Sequence, residues 1–263
     1  MPESGIHFSH HVGGGPAEQR PPLLLIHGAG GNHLYWPPEL RRRPGWEVYA
    51  LDLPGHGESP GPAESTIGGY ADRVLDWMRL TGLPPVVLVG HSMGAAIVLT
   101  MGLRSGRAAA GMVLIGVGGR LRVDPEIIRL SSTAASFPEA VNRVVGGSFG
   151  LSTAPRMIEL ARERMLESGS AAFCLDFQAC DHFDVRDRLG EIGLSTLVMC
   201  GEDDRMTPPK INQRLAESIR GAEYEAVPGG GHMVMLERPA AVADRIERFV
   251  LQRVGDRSLA GDN

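Results

Sequence analysis

The stretch that decides the reading is Pro84-Pro85-Val86-Val87-Leu88-Val89-Gly90-His91-Ser92-Met93-Gly94-Ala95-Ala96-Ile97-Val98-Leu99. Its first half is an apolar, β-branched run, the pattern of a strand buried on both faces of a parallel sheet. Its second half, continuing to Arg104, is built of good helix formers. Between the two, the chain must turn sharply at Ser92. Gly90 and Gly94, two residues to either side, leave room for a backbone passage that side chains would block. Strand, tight turn and helix in that order make Ser92 a candidate nucleophile presented at a strand end. The competing reading is an ordinary glycine-rich turn with an incidental serine.

Outward from this segment the same rhythm repeats. Leu23-Leu24-Leu25-Ile26 follows Pro21-Pro22, Trp46-Glu47-Val48-Tyr49-Ala50-Leu51 follows Pro44-Gly45, and Met112-Val113-Leu114-Ile115 comes after the serine segment. Residues 66–80 carry Ile67, Tyr70, Val74, Trp77 and Met78 on one helical stripe. Alternating strands and helices imply right-handed crossovers and an α/β fold with a mainly parallel sheet flanked by helices. Ligands of such sheets bind at the carboxyl ends of the strands, where Ser92 lies.

From 118 to 190 the rhythm breaks. Helices are expected near 125–135, 138–145, 154–167 and 171–179, punctuated by Gly146-Gly147 and Ser168-Gly169-Ser170. Sheet rhythm resumes at Ser195-Thr196-Leu197-Val198-Met199-Cys200. The organisation expected is a core in two parts, 1–118 and 192–263, with 119–191 as a helical cap. An extra packed layer is the plainer alternative for that insertion. The tail after Val254 is polar and expected to fray.

Composition narrows the class. With 43% hydrophobic and 22% charged residues the chain reads as globular rather than disordered. A net charge of −5 gives no reason to expect nucleic acid or an anionic membrane as partner. Cys174, Cys180 and Cys200 lack metal-ligand or C-x-x-C spacing, so neither a disulfide framework nor a zinc site is expected. The amino terminus has no basic segment followed by an apolar one, and no apolar run approaches about 18 residues. A cytoplasmic protein without a membrane span is expected. The sequence leaves a homodimer open.

A serine hydroxyl is a weak nucleophile until a base takes its proton and an acid orients that base. Two later loops supply candidates. Gly201-Glu202-Asp203-Asp204 follows one expected strand, and Pro228-Gly229-Gly230-Gly231-His232 follows another. A serine, an aspartate and a histidine thus occur in the order nucleophile, acid, base, with Asp203 and Asp204 competing for the acid.

Together these segments resemble the α/β-hydrolase fold family, and most of all its serine carboxylesterase and monoacylglycerol-lipase-like members. His27-Gly28-Ala29-Gly30 resembles the early turn that prepares the family's oxyanion hole. Asp52-Leu53-Pro54-Gly55-His56-Gly57-Glu58-Ser59 fits D-x-P-G-x-G-x-S, and Gly231-His232 through Glu237-Arg238-Pro239 fits G-H-x-x-x-x-E-x-P. The family's G-x-x-D-x-x-x-P pattern selects Asp204, with Pro208 four residues on.

The resemblance implies Ser92 as nucleophile, His232 as base, Asp204 as acid, and the backbone N–H groups of Ala29 and Met93 as oxyanion donors. It implies a small-molecule ester substrate of small-to-medium acyl length and an acyl-enzyme, with no cofactor and no metal. Family members that dehalogenate alkanes or open epoxides carry aspartate at the elbow, and Ser92 departs from them. Lactone hydrolysis, carbon–carbon bond hydrolysis and cofactor-free perhydrolysis stay open on the same triad, as does a ligand-binding protein with incidental turnover.

Around the site, Met233, His182 and Phe183 are expected to line the substrate pocket. His27 and His91 are expected to be structural hydrogen-bonders, and Asp52 and Ser59 to brace a loop. His7, His10, His11 and His33 show no ligand-like partners in the sequence.

Overall fold

The computed structural model describes residues 5–14, 20–104 and 108–254. Its strands are β1 (Phe8–Val12), β2 (Leu23–Ile26), β3 (Glu47–Leu51), β4 (Val86–His91), β5 (Ala109–Ile115), β6 (Thr196–Gly201) and β7 (Glu223–Val227). They form one seven-stranded sheet in the order β1-β3-β2-β4-β5-β6-β7. All neighbours run parallel except β1, which pairs antiparallel to β3. The sequence reading missed β1. Its residues, Phe-Ser-His-His-Val, are polar and only partly buried, as suits an edge strand with a single neighbour.

After β3 the chain returns across β2 to lay β4 on the other side. The loops leaving β2 and β4 therefore diverge, and a crevice opens between their carboxyl ends. Successive residues of β2 serve opposite layers. Leu24 and Ile26 join one apolar cluster with Leu88 and Leu114, while Leu23 and Leu25 join the other with Val87 and Val113. Burial on both faces explains why the sequence shows unbroken apolar runs rather than alternation.

The helices of the first half are α1 (Pro38–Arg41), α2 (Ile67–Thr81) and α3 (Met93–Gly102). The Thr66 hydroxyl caps α2 by accepting from Gly69 N–H at 3.0 Å, and Gly82 ends it at φ 64°. Its expected stripe of Ile67, Tyr70, Val74, Trp77 and Met78 is buried. Helix α3 is buried from Met93 to Met101, packed on α2, β4 and β5.

Between β5 and β6 lie α4 (Pro125–Ser131), α5 (Phe137–Ser148), α6 (Pro155–Leu166) and α7 (Gly169–Asp181). The first stops short of its expected end. Thr133 and Ser136 hydrogen-bond each other, and the Ser136 hydroxyl donates to Leu130 O, offering the chain a turn in place of further helix. The second half adds α8 (Pro209–Ser218), α9 (Val234–Glu237) and α10 (Pro239–Phe249). Cys174, Cys180 and Cys200 are free thiols. Among the described residues no helix is long and apolar enough to cross a membrane. The expected frayed tail after Val254 lies outside the described residues.

Close packing at the elbow makes Gly94 irreplaceable, because a Cβ there would overlap the Ile26 and His27 carbonyl oxygens. Gly146, by contrast, lies in α5 with open space around it. Thermal unfolding is expected to show Gly94→Ala destabilised by about 3 kcal/mol or failing to fold. Gly146→Ala is expected to gain up to about 1 kcal/mol.

Candidate active site

Ser92 follows β4 directly and precedes the first residue of α3. Its backbone sits at φ 53°, ψ −116°, the one positive φ outside glycine among the described residues. Ser92 N–H still donates to Ile115 O at 2.8 Å, so sheet pairing with β5 reaches into the elbow. Met93 opens α3, and a helix's first N–H groups have no partner within the helix.

Asp204 and His232 come from loops after β6 and β7. His232 Nδ1 lies 2.9 Å from Asp204 Oδ2, with the two residues 3% exposed each. Met206 and Thr207 N–H donate to Asp204 Oδ1 at 2.9 and 2.8 Å, and the Thr207 hydroxyl donates to Oδ2 at 2.8 Å. Burial alone would raise the Asp204 pKa. The charge and hydrogen bond of His232 and the Thr207 donors outweigh it and hold the carboxyl below its ordinary value. With Nδ1 committed to Asp204, Nε2 is the ring nitrogen left for other chemistry. Asp203 takes no part in this contact. Its N–H donates to Gly230 O, and its carboxylate faces Gly150.

Glu237 explains the acid in the sequence segment after His232. Its carboxylate accepts from Gly231 N–H at 2.7 Å, from Gly150 N–H at 2.8 Å and from the Thr153 hydroxyl. The loop carrying His232 is thus tied to the chain between α5 and α6.

The early turn is fixed by His27. Leu53 N–H donates to His27 Nε2 at 3.0 Å, so the proton sits on Nδ1 and is donated to Gly28 O at 2.8 Å. Burial, then the charge of nearby His56, push the His27 pKa down to about 4. Gly28 is tightly packed, since a Cβ would lie 3.0 Å from His91 Nδ1 and 3.2 Å from Ser92 Cβ, closer than neighbours sit without shifting. Ala29 follows at the wall of the cavity that holds Ser92.

Behind this turn lies a charged cluster that the sequence reading did not find. Asp176, on α7, is fully buried; its Oδ2 accepts from Gly30 N–H and His56 Nε2 at 2.8 Å each, and its Oδ1 from the Tyr70 hydroxyl at 2.5 Å. His56 Nδ1 lies 3.0 Å from Pro54 O, so both ring nitrogens donate. Burial would lower the His56 pKa, but the Asp176 charge and these hydrogen bonds raise it, giving a buried ion pair.

Ser92 and His232 line a chamber of about 40 Å³ with Gly28, Ala29, Tyr35, Met165, Phe177 and Met233. Met233, expected at the substrate pocket, lines this chamber. The structure places His182 and Phe183 elsewhere: neither lines this chamber or the wider one beside it that Ser92 also faces. His182 is exposed just past the end of α7, and Phe183 is buried in the apolar layer under the sheet with Leu121 and Leu189. Phe177 and Cys180, on the inner face of α7, line both chambers instead.

Asp52 and Ser59 brace their loop as expected. The Ser59 hydroxyl donates to Asp52 O at 2.6 Å. The Asp52 carboxylate accepts from His33 N–H at 2.7 Å and Glu58 N–H at 3.0 Å, and meets His33 Nδ1 at 2.9 Å and His7 Nδ1 at 2.8 Å. His7, His33 and Asp52 bring ligand-type atoms within 4.8 Å of one another, so the expectation that these histidines lack partners is corrected. The four hydrogen bonds already engage the carboxylate as a loop brace.

Comparison with known proteins agrees with this fold. Residues 23–245 match the profile of the alpha/beta hydrolase family, and the chain belongs to that family. RutD of Agrobacterium fabrum, provisionally named a carbamate hydrolase, is 29% identical over 94% of this chain and 98% of its own. A thermophilic esterase superposes with a TM-score of 0.81 at 29% identity, covering 95% of this chain and 99% of that one. The enol-lactonase of Burkholderia xenovorans LB400 shares the fold at a TM-score of 0.83 and 22% identity, covering 94% and 96%.

His91 carries a pH prediction. Its Nε2–H donates to His232 O at 2.9 Å, its Nδ1 has no partner among the described residues, and burial followed by the His232 charge drives its pKa to about 3. A histidine held neutral in the fold but protonated when unfolded makes the unfolded state bind more protons as pH falls. Its contribution is complete above the unfolded pKa of about 6.5 and drains away toward the folded value. Denaturant unfolding is expected to weaken from pH 6.5 to 4, with a visibly flatter dependence in His91→Gln; equal slopes would contradict this placement of charge.

Proposed function

We propose that this protein is a serine hydrolase that cleaves carboxylic esters of small acyl groups through an acyl-enzyme on Ser92. The observation carrying this reading is the convergence of the Ser92 elbow, the Asp204–His232 pair and the 28–29 turn on one small chamber. The helices of 119–191 act as the cap in this reading, since Val144, Ser148, Met165, Phe177 and Cys180 close that chamber.

Ser92 Oγ attacks the acyl carbon while His232 Nε2 takes its proton, and Asp204 stabilises the imidazolium so formed. The carbonyl oxygen becomes an oxyanion facing the N–H groups of Ala29 and Met93. Collapse expels the alkoxide, which takes the proton from His232. Water then repeats the cycle: its proton passes to His232, its oxygen bonds the acyl carbon, and Ser92 leaves with that proton as the carboxylic acid departs. Each oxyanion donor is worth on the order of 10²–10³ in turnover. Asp176 acts as a positioning residue here, because its hydrogen bond to Gly30 N–H fixes the residue following Ala29.

Cleavage of a carbamate or a lactone by the same groups is the second reading, favoured by the likeness to RutD. A panel of p-nitrophenyl acyl esters of graded length, lactones and carbamates separates the two.

Ester turnover is expected to fall to background in Ser92→Ala, and full activity there would sink the mechanism. Asp204→Asn is expected to lose on the order of 10³–10⁴ in kcat. Asp203→Asn should stay within about threefold of the wild type, as suits a side chain outside the pair. For Asp176→Asn we expect about a tenfold loss or more in kcat with KM little changed, bounded by the loss of one oxyanion donor. An unchanged kcat would remove its positioning role.

A further inference from the structure

Ser92 and His232 also line a second, open chamber of about 380 Å³. Its walls carry Arg122, Arg143 and Arg205 against a single carboxylate, Asp124. This is a local reversal of sign in a chain whose net charge is −5. We propose that this mouth binds an oxyanion, a carboxylate or a phosphate, carried by the leaving-group half of the substrate. The proposal rests on the ester-hydrolase reading and names its substrate class: small acyl esters of anionic alcohols or phenols.

The arginines are not spent on neutralising one another's neighbours. Among the described residues Arg122 makes no ion pair and no side-chain hydrogen bond. Arg205 Nη2 donates to two backbone carbonyls, Gly146 O at 3.0 Å and Phe149 O at 3.3 Å, and among the described residues it meets no carboxylate. Those bonds hold a full positive charge at the rim without cancelling it. Only Arg143 is paired, with Asp124 at 3.3 Å across half-exposed side chains, and Asp124 also caps α4 by accepting from Glu126 N–H. Two guanidinium charges therefore remain for a ligand, with the planar donor fork that suits carboxylate and phosphate.

The two chambers divide the substrate. Gly28 and Ala29 line only the small one, so a carbonyl oxygen directed to the oxyanion donors puts the acyl group there. Thr207 and the arginines line only the large one, which meets the small one at Ser92 and His232. His232 lines both chambers and returns its proton to the leaving oxygen, and in the proposed pose the leaving group occupies the wider, arginine-lined one. Opposite charge at a cleft rim also raises the capture rate, an effect that salt removes.

The test compares three acetyl esters: 5-acetoxy-2-nitrobenzoate, 4-acetoxyphenyl phosphate and the neutral methyl ester of the first. The expected kcat/KM ratio of the better anion to the neutral ester is about tenfold at low salt, shrinking as sodium chloride rises. That ratio is expected to fall roughly threefold in Arg122→Gln and again in the double variant with Arg205→Gln, as for exposed ion pairs, and to be retained in Arg122→Lys. Which anion leads identifies carboxylate or phosphate as the natural group. Ratios near one, or ratios that the arginine variants leave alone, overturn the proposal. Calorimetric binding of the same molecules to Ser92→Ala reads the mouth without turnover. Preferential anion binding there, with no wild-type hydrolysis of any ester, would sink the hydrolase reading and the leaving-group assignment with it, and keep only the anion-binding mouth.

Discussion

The site depends on one constraint: Ser92 is held in a backbone conformation that a serine does not adopt by choice. At φ 53°, ψ −116° the residue carries strain of order 1–3 kcal/mol, which persists only where the surroundings over-determine it. Here they do. Ser92 N–H is bound to Ile115 O, while Gly90 and Gly94 let α3 press against its own strand and against the end of β2. The same close approach brings the 27–30 turn over the serine. Strain at one residue thus fixes the hydroxyl, the first N–H groups of α3 and the neighbouring turn as one unit.

Charge provides the second level of order. The sheet's carboxyl edge holds two buried acid–histidine pairs with different tasks. Asp204 and His232 meet at the cavity. Asp176 and His56 meet behind the turn that Ala29 belongs to, and Tyr70 and Gly30 N–H complete the shell of donors. The buried carboxylate of the second pair comes from α7, in the insertion, whereas its partners come from the core. A buried charge missing its partner is costly, so the insertion and the early turn are held in one arrangement. Histidines of opposite character sit side by side there: His27 is held neutral while His56 gains its proton.

How much of this was legible in the sequence follows from what each feature depends on. The buried parallel strands declared themselves as unbroken apolar runs, and the loops after β4, β6 and β7 carried Ser92, Asp204 and His232 in readable spacing. The edge strand β1 did not, because a strand paired on one side and half exposed needs no apolar run. His182 and Phe183 failed for a related reason. Position near the end of α7 says nothing about which way a helix face turns, and one turn earlier Phe177 and Cys180 point inward instead. Asp176 and the arginines of the outer chamber were invisible because their meaning lies in partners more than a hundred residues away, or in the absence of a partner, and no local pattern records either.

What unites these features is a chemical claim about a single oxygen atom. Mixing the protein with p-nitrophenyl acetate, quenching in acid within the first turnover and mapping the peptides by mass tests that claim most directly. One acetyl group is expected on the peptide carrying Ser92, appearing together with the first equivalent of nitrophenol. Turnover with no acylated peptide, or the acetyl group on another residue, would contradict it.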